Sequence, residues 1–148
     1  MNRVVLRFAI GIGGLLVLIT GGCREQGKKA LSGVEVVCRR YESREMRPIG
    51  PKNPVLKSAE AWKQRLDKHS REMGQAALQC GSVENTSPKS LSFEYHMAWE
   101  DSAAGNLVLY YFAPIPNPKG YAGYGVHAVV GINENKLKQV CIFPVPLE

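Results

Sequence analysis

Four cysteines and three histidines are the side chains of this 148-residue chain best suited to nucleophilic, redox or metal chemistry. Cys23, Cys38, Cys80 and Cys141 show neither CxxC nor mixed Cys/His metal spacing, so Cys38, Cys80 and Cys141 read as disulfide candidates. Cys80 can pair with Cys38 or with Cys141, and the first pairing is preferred. It would close a loop of about 42 residues and contribute about 4 kcal/mol in the chain-entropy model. The alternative is three buried thiols. His96 and His127 fall on strand-like runs beside Glu94, but a strand between them would hold their backbones about 10 Å apart at the usual spacing. His69 has no evident partner in the sequence. GxSxG, HExxH and phosphate-loop patterns are absent, and "GYAGYG" at 120–125 leads into a strand rather than a helix, so its glycines read as turn formers. No catalytic residue, metal ligand or cofactor is assigned.

The elements that would carry these residues are legible in outline. "GVEVVC" alternates Val34, Val36 and Cys38, a strand at about 33–41 with Cys38 facing inward. Pro48, Pro51 and Pro54 then mark a loop. From Ser58, a possible N-cap, to Cys80 the positions of Trp62, Leu66, Met73, Ala77 and Cys80 form one helical face, with Gly81 a plausible stop. In "LSFEYHMAWE" Leu91, Phe93, Tyr95, Met97 and Trp99 alternate with polar or small residues, which predicts a strand covered on one side. "LVLYYFAPI" is apolar on both faces and reads as a central strand, followed by "GVHAVVGI" and "LKQVCIFPVP". Pro144 and Pro146 suggest that the last strand runs out at an edge or beyond the sheet. The expected fold is α+β, one helix packed across an antiparallel four- to five-stranded meander sheet, with a single domain over 33–148.

The N-terminus is of another kind. Arg3 and Arg7 precede an apolar run from Phe8 that ends in "LLVLITGGCREQ". The run is short for a bilayer core of about 30 Å, which takes roughly 20 apolar residues. A basic start, a short apolar middle and small residues before a cut are the parts of a secretory signal. The segment "ITGGC", with Gly21 and Gly22 immediately before Cys23, resembles the signal of bacterial lipoproteins, with Thr20 where that family usually has leucine. The resemblance implies removal of residues 1–22, lipidation of Cys23, and a polar tether over 23–32. It further implies location in a bacterial cell envelope, facing the periplasm or exterior. Arg24 after the cysteine would permit transfer to an outer membrane where one exists.

Charge and loops bound the partners. Residues 23–148 carry 17 basic and 13 acidic side chains, and Arg24 to Arg71 hold 13 of the former and 6 of the latter. Behind an export signal such a basic segment suits an anionic lipid surface or plain solvation, and no nucleic-acid partner is expected. The loop from Pro114 to Tyr124 offers Pro116, Tyr121 and Tyr124 as binding-loop candidates, since stiff loops present aromatic groups at low entropic cost. Beyond the membrane, another envelope protein is the partner considered. The expected function is a lipid-anchored, non-catalytic protein-binding module of adaptor, inhibitor or immunity type. The alternatives are a small-ligand carrier with a cavity between helix and sheet lined by Phe93, Tyr95 and Trp99, and a small enzyme with a dispersed site.

Overall fold

The computed structural model describes residues 33–80, 91–115 and 120–148. Four long strands, β3 (Glu94–Asp101), β4 (Asn106–Pro114), β5 (Tyr121–Gly131) and β6 (Lys136–Pro146), run as an antiparallel meander. Their alternating or continuous apolar runs and short polar turns dictate this much. Two three-residue strands widen the sheet. β1 (Glu35–Val37) lies parallel to β6, and β2 (Met46–Pro48) lies antiparallel to β3, giving the order β1-β6-β5-β4-β3-β2.

The fold is α+β, but the sheet is six-stranded and mixed rather than a four- to five-stranded antiparallel one. The parallel pair joins Val36 to Val140, segments about a hundred residues apart, and no turn signal announces it. β2 ends on Pro48 inside the proline-rich stretch read as loop; as an outermost strand it leaves one side free of any demand for a donor. β6 is covered by β1 only in its middle. β1 covers Gln139 to Cys141, and Pro144 and Pro146 lie beyond that cover.

The expected single helix is two, α1 (Leu56–Asp67) and α2 (Ser70–Cys80). Met73 N–H bonds the His69 carbonyl and His69 N–H bonds that of Leu66, so His69 begins a second helix, with Glu72 against its imidazole in the first turn. The break lets α1 lie on β3 and β4 while α2 lies on β6. Apolar periodicity continues in phase through the break, which is why it could not be read from the sequence. Ser58 lies inside α1 and caps nothing; Asn53 Oδ1 accepts the Val55 N–H at 2.9 Å just ahead of the helix. Among the described residues no helix is long and apolar enough to cross a membrane.

One face of the sheet carries the helices. Leu66 and Met73 of the helices and Leu107, Leu109, Tyr111, Val126 and Ile142 of the sheet are all nearly inaccessible, so the space between helices and sheet is filled. The buried Tyr111 hydroxyl donates to Asp67 Oδ1 at 3.2 Å, and burial beside that carboxylate pushes its pKa well above the ordinary value. Trp62 Nε1 donates to Asn135 Oδ1 at 2.8 Å, fixing α1 to the β5–β6 turn, where Asn135 holds a left-handed backbone (φ 47°).

The opposite face is covered by the chain itself. β1 and β2 sit at opposite edges, so residues 38–45 must cross the whole sheet as a strap. Five interstrand spacings are about 24 Å, and nine residue steps extend to about 30 Å, so the strap is nearly taut. Tyr41 packs on Val108, Val129 and Cys141. Its hydroxyl donates to Asp101 Oδ2 at 2.6 Å and accepts from Asn106 Nδ2 at 3.1 Å. Burial raises the Asp101 carboxyl, but hydrogen bonds from Tyr41, Ser43 and the Ala103 and Ala104 backbones outweigh it and hold the pKa below the ordinary value.

The Cys38–Cys80 disulfide joins the point where the strap leaves β1 to the end of α2, with the Cα atoms 5.1 Å apart. Cys141, the other possible partner of Cys80, is a free buried thiol on β6, pushed up to about 11 chiefly by burial.

Replacing both Cys38 and Cys80 by serine is expected to lower unfolding free energy by about 4 kcal/mol, and urea titration with and without reductant measures it. Coincident wild-type and variant curves would show the bridge to be dispensable. Asp101→Asn is expected to cost about 1–3 kcal/mol at neutral pH by weakening the strap's buried anchor. A carboxyl with a lowered folded pKa stabilises above its unfolded value of about 4 and loses that contribution as pH falls through the folded one. The gap between wild type and variant should therefore narrow below about pH 4 in thermal melts, and a constant gap would contradict it.

Candidate functional site

The strap covers only one end of the second face. Beyond it the face opens into a groove of about 380 Å³ lined by Arg40, Met97, Trp99, Tyr110, His127 and Phe143, with Pro144, Val145 and Pro146 along β6. The volume falls within the range of about 300–1,000 Å³ typical of ligand pockets.

A register shift in β3 between Tyr95 and Met97 builds this site. Strict alternation would place Tyr95, Met97 and Trp99 on one face. Instead Tyr95 stays on the helix side, beside Tyr111 and beneath the Lys63 ammonium, while Trp99 turns to the strap side against Tyr110 and His127. The carrier cavity expected to hold Phe93, Tyr95 and Trp99 together is therefore corrected: Trp99 is on the other face of the sheet. Neighbouring strands complete the site, because the register Tyr110↔His127↔Cys141 places three side chains in one row. Phe143 follows in the next row opposite Gly125. A Cβ at Gly125 would collide with the Phe143 ring, and one at Gly123 would collide with the Ala113 carbonyl and Phe112. These two glycines of "GYAGYG" lie within β5 and make room for rings rather than turning the chain.

The rings form a connected shelf. His127 sits 4.8 Å from Phe143, 5.4 Å from Tyr110 and 5.5 Å from Trp99 between centroids, and Tyr110 and Phe143 stack at 6.2 Å. The Arg40 guanidinium stands 5.6 Å over the Phe143 ring, a cation–π contact at the strap end of the groove. His127 is 1 % exposed, and Nδ1 is buried without a hydrogen-bond partner. Burial, helped by the positive charge of Arg40, pushes its pKa down to about 4, so the imidazole is neutral near pH 7.

Other candidates from the sequence are placed as follows. Cys23 and Pro116 lie outside the described residues, as do the signal, the tether and Gly81. Tyr121 is half exposed at the start of β5, whereas Tyr124 is buried within β5 opposite Pro144 rather than displayed on a loop. His96 and His127 are separated by the Tyr110 ring, which touches both. Glu94 is exposed further along β3, and among the described residues no cluster of three His, Cys, Asp or Glu is placed to hold a metal ion. Sequence reasoning missed Arg40, Tyr110 and Phe143 as site residues. The available signal was the pairing of glycines in one strand with aromatic residues in its neighbours.

A histidine whose folded pKa is depressed stabilises the protein above its unfolded pKa and loses that contribution as pH falls through the folded value. Between about pH 6.5 and 4 the wild type is expected to lose up to about 3 kcal/mol that His127→Phe retains. Urea unfolding of both proteins at pH 7 and pH 4.5 measures this, and parallel pH dependence would contradict it.

Comparison of the chain with protein-family models, with curated protein sequences and with solved structures gave no match.

Proposed function

We propose that this chain is a lipid-tethered, non-catalytic protein-binding module of a bacterial envelope, acting through the open half of its strap face. The groove carries this reading. Tryptophan, tyrosine and arginine are the residues that most often dominate binding energy at protein interfaces, and Trp99, Tyr110 and Arg40 line one groove on a rigid sheet. The strap leaves that groove uncovered while the helices fill the other face, so the sheet presents one apolar surface to a partner. The tether reading rests on "ITGGC" and its cysteine. Two or more acyl chains on Cys23 would hold the module stably at a membrane.

A photo-crosslinking amino acid at Met97, in the full-length protein expressed in a bacterial host, is expected to give a discrete crosslinked product. The same group at the exposed Gln64 of α1 is expected to give none. Intact mass is expected to start at an acylated Cys23, with the acyl mass absent in Cys23→Ala. Identical crosslinking from both positions, or none, would remove the binding-face reading, and an unlipidated soluble chain would remove the tether.

A further inference from the structure

The chemistry of the groove restricts what it can hold. Arg40 is the one charged side chain lining the groove, and no ion pair among the described residues engages it. The groove thus carries one uncompensated positive charge. His127 Nδ1 is the buried side-chain polar atom left without a partner among the described residues. The ring's contact with the Tyr41 backbone favours its protonated form, so the other nitrogen donates there and Nδ1 keeps a lone pair. An occupant must therefore bring an apolar body, one anionic group and one N–H or O–H donor. The groove is also closed at one end. The strap, with Tyr41 packed on Val108 and Val129, blocks it beside Arg40, so a chain entering along Pro144 and Pro146 cannot pass through.

Resting on the binding-module reading, we propose that the groove receives the free C-terminus of a partner polypeptide whose last residue is aromatic or large and apolar. The terminal carboxylate meets the Arg40 guanidinium at the closed end, where two parallel N–H donors match two oxygens. The last side chain enters between Trp99 and Phe143. The last backbone N–H is the donor that His127 Nδ1 lacks. An internal acidic residue fits less well, because its chain would have to leave the groove at both ends.

The test uses the full-length protein in detergent and two fluorescein-labelled peptides of sequence Gly-Ser-Gly-Ser-Gly-Phe, one a free acid and one C-terminally amidated, read by fluorescence anisotropy. The free acid is expected to bind at least tenfold more tightly than the amide. Arg40→Gln, at an exposed position, is expected to bring the acid down to the amide's affinity without moving the melting temperature. Equal affinities for acid and amide overturn the proposal, as does absence of binding by peptides ending in phenylalanine, leucine or tryptophan. If Met97 crosslinking still captures a partner through an internal segment, the C-terminus inference alone falls. If it captures nothing, the binding-module reading falls with it.

Discussion

The strap's crossing of the sheet is the constraint on which the remaining architecture depends. Because β1 and β2 occupy opposite edges, residues 38–45 have little slack and must lie close to the face they cross. The buried Tyr41–Asp101 hydrogen bond fixes the height and line of that crossing. It also decides which rows of the sheet are roofed and which stay open. The row of Val108 and Val129 is covered, as are His127 and Cys141 beside it, while Tyr110 and Phe143 are left half-buried. Arg40, one residue before the anchor, is thereby set at the boundary, with its charge over the Phe143 ring.

The two faces solve the burial problem differently. On the helix side, buried aliphatic residues of β4, β5 and β6 lie under the helices with Leu66 and Met73, and the buried hydroxyl of Tyr111 has its own acceptors. On the strap side, aromatic rings pack edge against face around a neutral histidine that leaves one nitrogen unpaired. The first arrangement is complete within the described residues. The second leaves an acceptor unsatisfied, which is costly in a buried site unless another group supplies a donor.

The long strands were legible because they rest on local periodicity, and Cys38–Cys80 was the preferred of the two pairings, although Cys38 is exposed just after β1 rather than facing inward on a strand. What escaped was non-local or sub-periodic. The parallel β1–β6 pairing has no connecting turn to announce it, and β2 is three residues next to prolines. The helix break at His69 leaves the apolar phase unchanged. The shift beside His96 matters most for the site, since one extra residue transfers Met97 and Trp99 from the expected face to the other. The site could not be read without it, since its residues come from the strap and four strands, and their neighbourhood is a matter of register.

The parallel alignment of β1 with β6 also sets a direction. The chain enters the sheet at Glu35, beside Gln139, whereas the groove lies beside Phe143 to Pro146, four to seven residues further along β6. At about 3.3 Å per residue that is roughly 13–23 Å toward the far end of the sheet. The point at which the chain enters the sheet and the Pro144–Pro146 end of the groove therefore lie toward opposite ends of β6.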